Sequence, residues 1–215
     1  MGLNDRGDDL MFFAAPFEGR EIETNGATIH ARVRGQGSAV VLLHGFGTTG
    51  DMWAPLAAAL ATDHTVIVPD LRGLGLSSKT SGGYDKRTQS GDVASVMDAL
   101  SVPRADFVTH DIGNMVGYAF AARYPERVTR FVPIDAPLPG VGLWDQIAQD
   151  PHMWQFGFGG PDMERLVAGR ERIYLDRFWN EFSLHPECFD EAKRQHYAAL
   201  YAMPGAIRAG FAQFA

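Results

Sequence analysis

Short apolar runs alternate with amphipathic segments along residues 39–134. A continuous apolar run at 39–43 is typical of a strand buried on both faces, 64–68 is predicted to be the next buried strand, and 128–134 is predicted to be a further strand. The segments 51–61 and 86–100 carry apolar residues at helical spacing, and Asp51 can cap the first of these helices. Strands that alternate with helices in this way predict an α/β fold with a mostly parallel sheet flanked by helices.

Two alternating segments, 18–26 and 27–35, precede the first buried strand. They meet at Asn25-Gly26, a dipeptide that favours the tight turn of a β-hairpin. We therefore expect an antiparallel pair of strands before the parallel part of the sheet begins.

A sharp change of pattern surrounds Asp111. Residues 106–109 form a short β-branched and aromatic run, whereas 113–122 carry apolar residues at helical spacing. A strand that turns directly into a helix with one reactive side chain at the corner is the arrangement of a nucleophile elbow. A carboxylate there is ordinarily ionised at neutral pH and can attack a saturated carbon to form an ester that water can cleave. The alternative is that Asp111 only caps the following helix.

The pattern of predicted elements changes after residue 137. Pro137, Pro139, Gly140 and Gly142 mark a boundary, and helical patterns rich in aromatic residues follow. The helices are predicted at 143–149, 161–182 with a break near Gly169, 186–202 and 205–214. We therefore expect a core at 1–137 and a helical cap domain at 138–215.

Composition and charge exclude several function classes. The 215 residues are 46% apolar and 21% charged with a net charge of −7, which argues against a nucleic-acid partner. One cysteine, Cys188, and no metal-like spacing of histidines predict no disulfide, no metal and no cofactor. The polar start lacks a signal-peptide pattern, and the longest apolar runs, such as 10–16, are too short for a membrane span. We expect a soluble, cytoplasmic protein.

Four short motifs follow successive predicted strands. They are His44-Gly45-Phe46-Gly47, the loop DLRGLGLSS at 70–78, Thr109-His110-Asp111-Ile112-Gly113, and Ile134-Asp135-Ala136-Pro137. In this order and spacing they resemble the α/β-hydrolase superfamily, specifically its branch of bacterial epoxide hydrolases and haloalkane dehalogenases with an aspartate nucleophile. The resemblance covers about 19–215. Thr109 departs from the pattern, because a β-branched residue crowds a turn that commonly holds glycine.

The resemblance implies roles for several core residues. Asp111 would form an alkyl-enzyme ester, and the backbone amides of Phe46 and Ile112 would form the oxyanion hole for its hydrolysis. Asp135 would be the acid that orients a catalytic histidine, with a turn or cap carboxylate as the alternative. His44 is placed among the substrate-binding residues, although a structural hydrogen-bonding histidine is the favoured interpretation. Asp70 is interpreted as structural.

The choice between epoxide and halide rests on possible hydrogen-bond donors. Ile112 and Phe46 cannot donate to a halide from their side chains, which argues against a typical haloalkane dehalogenase. Tyr201 resembles the cap tyrosine that donates to the epoxide oxygen, and a tyrosine stays protonated at neutral pH. The alternative is that Tyr201 packs in a helix stripe with Tyr197 and Leu200.

A second donor is expected early in the cap, at 152–158. Gln155 stands at the matching place, where an amide could hydrogen-bond but not supply a proton, and His152 could substitute. Trp154 and Phe156 are expected to line an apolar pocket or to fill the cap. His110 is included as a substrate contact, although adjacent strand residues ordinarily point to opposite faces.

The histidine that activates water in this branch is expected after the last core strand, and none of the seven histidines stands there. We therefore expect these residues to be the amino-terminal part of a longer hydrolase that forms the ester without turning over. The predicted function is opening of a small apolar epoxide to a vicinal diol. A haloalkane or haloacid dehalogenase and a non-catalytic binding protein of the same fold remain alternatives, and an exposed sheet edge makes a homodimer possible.

Overall fold

Six strands form a single sheet in the computed structural model, which describes residues 12–13, 17–135 and 137–214. The strands are β1 (Glu18–Glu23), β2 (Thr28–Arg34), β3 (Ser38–Leu43), β4 (His64–Pro69), β5 (Ala105–His110) and β6 (Val128–Ile134). Their order across the sheet is β1-β2-β4-β3-β5-β6. All of the strands predicted from the sequence are present, with ends that differ by at most three residues.

Parallel pairing dominates the sheet. Strands β4, β3, β5 and β6 pair in parallel, whereas β2 pairs antiparallel with β1 and β4. The hairpin between β1 and β2 turns at Gly26, which has a φ of 83°. Leu43 pairs with Thr109, and Thr109 pairs with Pro133, so β3, β5 and β6 end at the same edge. The residues that follow these strands are therefore brought together.

Three helices flank this part of the sheet: α1 (Ala54–Leu60), α2 (Lys86–Ala99) and α3 (Ile112–Arg123). A 3-10 turn, Gly50–Trp53, precedes α1, and its cap is the side chain of Thr49 instead of the predicted Asp51. Asp85 caps α2 by accepting a hydrogen bond from the amide of Thr88. The 3-10 turn and α2 therefore begin at short polar side chains that satisfy free amides, whereas α1 and α3 have no side-chain cap.

Strand alternation divides the core into two layers. On one face, Val40 and Leu42 of β3 belong to a cluster with Trp53 and Ala57. On the other face, Val41 and Leu43 belong to a larger cluster that also contains rings from the helices after residue 143. The central strands β3 and β4 are thus covered on both faces, whereas the edge strands β1 and β6 are largely exposed.

The residues after β6 fold into helices. They are α4 (Trp144–Ala148), α5 (Pro161–Val167), α6 (Glu171–Glu181), α7 (Glu191–Tyr201) and α8 (Ala206–Ala212), with 3-10 turns at Pro151–Gly157 and Pro186–Cys188. The predicted break is confirmed, since Gly169 adopts a φ of 74° between α5 and α6. We call the described residues 137–214 the cap segment. Its separation from the core as a domain stays a prediction.

Apolarity and length together rule out a bilayer-crossing helix among the residues that the structure describes. Part of the predicted apolar run 10–16, together with Ala136 of the fourth motif, lies outside the described residues.

Candidate active site

Asp111 stands at the corner between β5 and α3 in a backbone conformation that side chains rarely adopt. Its φ is 52° and its ψ is −123°, and its side chain makes no capping hydrogen bond to α3. Instead Oδ1 accepts a hydrogen bond of 2.7 Å from the backbone amide of Phe46. Because such backbone strain costs about 1–3 kcal/mol, it persists only where the surroundings enforce it. The alternative that Asp111 merely caps the helix is therefore wrong.

Two glycines permit the close approach of the elbow to the end of β3. A Cβ on Gly113 would stand 2.6 Å from the carbonyl oxygen of Leu43, and one on Gly45 would stand 2.7 Å from Cβ of Asp111. The Gly45 position would also lie 2.5 Å from Nδ1 of His110. Since side-chain carbons do not approach this closely, both positions require glycine for the elbow to form.

Thr109 fits the elbow because its neighbours make room for it. Its Cγ2 lies 2.8 Å from where a Cβ on Gly117 would stand, so the missing side chain accommodates the methyl group. The Thr109 hydroxyl donates to Oδ1 of Asn114 at 2.5 Å, and Nδ2 of Asn114 donates to the carbonyl oxygen of Ile134 at 3.1 Å. The departure from the small-residue pattern is thus compensated, and the same network ties the elbow to the end of β6.

The peptide between Gly45 and Phe46 is oriented from the core side. The Gly45 carbonyl oxygen accepts from Nδ1 of His44 at 2.9 Å and from the Thr48 hydroxyl at 3.2 Å. Because the peptide is planar and trans, fixing this oxygen directs the Phe46 N–H to the opposite side, toward Asp111. The Phe46 amide is therefore directed at Asp111, and its oxyanion role stays a prediction.

His44 is a structural residue and its assignment to substrate binding is wrong. Its Nε2 accepts from the amide of Leu71 at 2.9 Å while Nδ1 donates to Gly45, so both ring nitrogens are used. The side chain is fully buried, and burial lowers the pKa of His44. A neutral imidazole with a proton on Nδ1 satisfies both bonds.

A cavity of about 770 Å³ opens beside the elbow. Asp111, His110 and Asp135 lie in its wall on the core side. The expectation that His110 faces away from Asp111 is wrong, because the chain bends at Asp111 and both residues reach the same space. Asp135 also has a positive φ, 43°, at the end of β6. Nδ1 of His110 is buried without a hydrogen-bond partner among the described residues.

The opposite wall is mostly apolar and comes largely from the cap segment. Its rings and thioether are those of Phe156, Phe178, Trp179, Phe182, Phe189, Tyr197, Phe214 and Met153. Gln155 is the amide in this wall; its Oε1 accepts from Arg177 at 3.4 Å and its Nε2 lies 3.5 Å from the sulfur of Met153. These long contacts leave the amide available to a bound molecule.

Two predicted contacts of the cap lie elsewhere. The side chain of His152 is 80% exposed and pairs with Asp150, so it is not in the cavity wall. Trp154 packs against Phe158 and beneath the guanidinium of Arg177, which lies 4.5 Å from its ring centroid, and it is not in the wall either. Within the 3-10 turn Pro151–Gly157, Met153, Gln155 and Phe156 lie in the cavity wall, whereas His152 and Trp154 do not.

Tyr201 occupies a place that does not suit a ring-opening donor. Its hydroxyl accepts from the amide of Gly47 at 2.9 Å and lies 3.5 Å from the carbonyl oxygen of Thr48. The side chain is 1% exposed, is not in the cavity wall, and burial raises the pKa of its hydroxyl. The assignment of Tyr201 to the leaving oxygen is therefore not supported, because its hydroxyl is turned onto the loop after β3.

Ile112 begins α3, and its side chain is fully buried in the core. Its amide belongs to the free amides at the start of the helix. Among the described residues this amide makes no hydrogen bond to Asp111, so its oxyanion role stays a prediction.

Residues outside the four motifs also contribute to the site. Phe214 and Trp179 lie in the cavity wall, and Tyr174, outside the wall, packs edge-on against Phe46 and Phe178 and has a buried hydroxyl without a partner among the described residues. Each is an aromatic residue in a helical pattern, which by itself indicates only packing. The spacing of the sequence gives no signal that would separate them from the other rings of the cap segment.

Lys86 brings a cation near the elbow. Burial lowers its pKa to about 8, and the carboxylates of Asp111 and Asp85 act in the opposite direction. Its ammonium donates to the backbone oxygen of Gln213 at 2.7 Å, which joins α2 of the core to the end of α8. The site therefore has a positive group at the junction of core and cap segment.

Residues 38–201 match the family described by the alpha/beta hydrolase fold. The chain belongs to the α/β-hydrolase fold family. Over 195 residues it is 33% identical to the soluble epoxide hydrolase of Corynebacterium sp. (strain C12), covering 86% of this chain and 68% of that protein. Over 202 residues it is 37% identical to the fluoroacetate dehalogenase of Burkholderia sp., covering 89% of this chain and 66% of that enzyme.

Solved structures agree with the sequence relatives. The crystal structure of wild-type Cfl2 from Burkholderia cenocepacia superimposes with a TM-score of 0.86 at 33% identity, covering 92% of this chain and 70% of that one. The predicted fold and the resemblance to epoxide hydrolases are thereby confirmed, and the chain is a hydrolase-like member of the family. The chain spans about two thirds of the length of the epoxide hydrolase and the fluoroacetate dehalogenase. The activity of either full-length relative is therefore only proposed for this chain.

Proposed function

We propose that this α/β hydrolase opens a small apolar epoxide by attack of the Asp111 carboxylate on a ring carbon. The new ester C–O bond forms as the ring C–O bond breaks, and the ring oxygen leaves as an alkoxide that takes up a proton. The observation that carries the proposal is the Asp111 carboxylate, held by the Phe46 amide at the wall of an aromatic cavity. The similarity to the soluble epoxide hydrolase supports the same chemistry.

The two carboxylate oxygens of Asp111 have different surroundings. Oδ1 accepts a hydrogen bond from the Phe46 amide, whereas Oδ2 accepts none from the described residues. We therefore assign the attack to Oδ2. Oδ1 then becomes the carbonyl oxygen of the ester and still faces the Phe46 amide, which is where negative charge develops when water attacks. Ile112 would supply the second amide.

The leaving oxygen needs a hydrogen-bond donor in the same cavity. His110 lies in the cavity wall beside Asp111, and the Gln155 amide there is held only by a long contact to Arg177 and by the weak acceptor sulfur of Met153. We assign these two groups to the epoxide oxygen. An imidazole can also carry the proton, whereas an amide can only orient and stabilise the developing charge.

Dehalogenation is the second candidate, favoured by the 37% identity to the fluoroacetate dehalogenase. The same carboxylate would attack a carbon that bears halogen, and His110 and Gln155 would face the departing halide. The two reactions share Asp111 and differ in the leaving group. A binding protein of the same fold would use the cavity without forming a bond.

Intact-mass spectrometry after incubation with styrene oxide tests the proposal. Because the exposed Cys188 thiol lies in the cavity wall and can itself react with epoxides, the experiment uses a Cys188→Ser background. We expect one added epoxide mass on this protein and none on the additional Asp111→Asn variant. Stoichiometric fluoride release from fluoroacetate, without an epoxide adduct, would favour the dehalogenase. No reaction with either compound would contradict both and leave the binding protein.

A further inference from the structure

The loop Gly45–Thr48 is held by hydrogen bonds from the cap segment as well as from the core. The amide of Gly47 donates to the Tyr201 hydroxyl at 2.9 Å. The indole N–H of Trp179 donates to the carbonyl oxygen of the same Gly47 at 3.0 Å. One backbone residue next to the Phe46 amide is thus held from both its N–H and its C=O by two cap helices, α7 and α6.

The ring of Phe46 is enclosed by rings of the cap segment. Its centroid lies 5.1 Å from that of Phe178, 5.6 Å from Tyr201 and 5.1 Å from Phe214. All three contacts are edge-to-face, the arrangement that aromatic pairs favour. The residue whose amide binds the nucleophile therefore has its side chain anchored in the cap segment, while its peptide is oriented by His44 of the core.

Burial makes these cap contacts costly to lose. Tyr201 is 1% and Trp179 is 2% exposed. A buried hydroxyl or indole N–H needs a hydrogen-bond partner, and the backbone of Gly47 provides one to each. Gly47 has a φ of 75°, so the loop is in a conformation that needs such support. Loss of the Tyr201 hydroxyl would leave the Gly47 amide unpaired beside the oxyanion donor.

We propose that Tyr201 and Trp179 are positioning residues that hold the Phe46 amide against Asp111, so that the nucleophile is correctly oriented only when α6 and α7 are docked. They act through Gly47 and Phe46, because the Tyr201 hydroxyl and the Trp179 indole N–H bind the loop and not the substrate. The catalytic meaning of this positioning rests on the proposed function. The hydrogen-bonding geometry itself does not.

The experiment compares Tyr201→Phe with the matched variant Tyr84→Phe, both in the Cys188→Ser background. Tyr84 is also buried and donates its hydroxyl to a backbone oxygen, that of Thr80, at 2.7 Å, but it lies outside the cavity wall. Two quantities are measured: amide hydrogen exchange of Gly47 and Phe46 by NMR, and the rate of ester formation with styrene oxide in a single turnover. Thermal unfolding is recorded for both variants.

In Tyr201→Phe we expect exchange at Gly47 and Phe46 to become about tenfold faster, because the local opening loses one hydrogen bond. Ester formation should slow about tenfold, since a small displacement of the attacking group is costly. In Tyr84→Phe neither quantity should change by more than about twofold. Trp179→Phe, which keeps a ring and removes the indole N–H, should reproduce the exchange effect.

Unchanged exchange at Gly47 in Tyr201→Phe would overturn the positioning role, and so would faster exchange with an unchanged rate of ester formation. Equal slowing in Tyr84→Phe would show a general effect of stability and would also overturn it. If the Cys188→Ser protein with Tyr201 intact forms no ester, the proposed function is overturned, and the catalytic part of this inference with it. The exchange data would still decide whether Tyr201 and Trp179 hold the loop.

Discussion

The two walls of the cavity hold their polar groups with very different tightness. On the core side, Asp111 sits in a strained corner, receives the Phe46 amide at 2.7 Å, and is approached by backbone that only Gly45 and Gly113 allow. On the cap side, the Gln155 amide makes contacts of 3.4 and 3.5 Å. The Asp111 carboxylate is thus held in place without a bound molecule, whereas the Gln155 amide on the opposite wall can adjust to one.

The same difference separates attack from recognition. A preorganised carboxylate lowers the cost of reaching the transition state, and its geometry tolerates little change. A loosely held amide in an aromatic wall suits substrates of different shape. If this division is correct, changes at the elbow should abolish reaction, whereas changes in the 3-10 turn Pro151–Gly157 should alter it by degrees.

Gly113→Ala should give the largest effect. The new methyl carbon would meet the carbonyl oxygens of Leu43 and His44 at 2.6 and 2.7 Å, so the elbow must move. We expect a loss of about 3 kcal/mol in the free energy of unfolding and no detectable ester formation. Urea unfolding and intact-mass spectrometry measure the two.

Gly157→Ala in the cap segment is the matched control, because a Cβ there meets nothing within 4 Å. Its stability should stay within about 0.5 kcal/mol of the parent protein. Similar losses in the two variants would remove the contrast between the walls.

The pH dependence of the free energy of unfolding should show an intermediate effect of Lys86, which lies at the junction of the two walls. Its pKa in the folded protein is about 8, against 10.5 ordinarily, so the unfolded chain binds the proton more tightly. The free energy of unfolding should therefore rise as pH increases from about 8 to about 10.5, by about 2 kcal/mol. Lys86→Met should lack this rise. A parallel pH dependence in the two proteins would contradict the burial of this ammonium.

Gln155→Leu should give the smallest effect. Loss of one hydrogen bond to the leaving oxygen should slow ester formation from styrene oxide about tenfold without changing its site. His152→Ala is the control, since the exposed His152 side chain lies outside the cavity wall, and it should react at the parent rate. Equal effects of the two substitutions would show that Gln155 does not contact the substrate.

More of the core wall than of the cap wall can be predicted from the sequence, for a physical reason. Asp111, Phe46 and Asp135 follow strands, and parallel strands that end at one edge bring such residues together whatever the rest of the chain does. Helical residues have no comparable rule. Tyr201 and Trp179 carry the same helical spacing whether they face substrate or a loop, and only packing turned their polar atoms onto Gly47.

His110 shows a second limit. Strand alternation places His110 and Asp111 on opposite faces, but that rule assumes extended backbone, and the φ of 52° at Asp111 ends it. The strain of a single residue is invisible in a hydrophobic pattern. The sequence marks Thr109 as unusual at this turn. It does not show that Gly117 of α3 leaves room for the Thr109 methyl group, because that contact forms only when the helix packs on β5.

Peptide mapping by tandem mass spectrometry, after reaction of the Cys188→Ser protein with styrene oxide, shows which side chain carries the added mass. We expect it on Asp111, in the peptide that spans the end of β5 and the start of α3. Added mass on His110 or another side chain, with Asp111 unmodified, would contradict the claim that this carboxylate is the nucleophile.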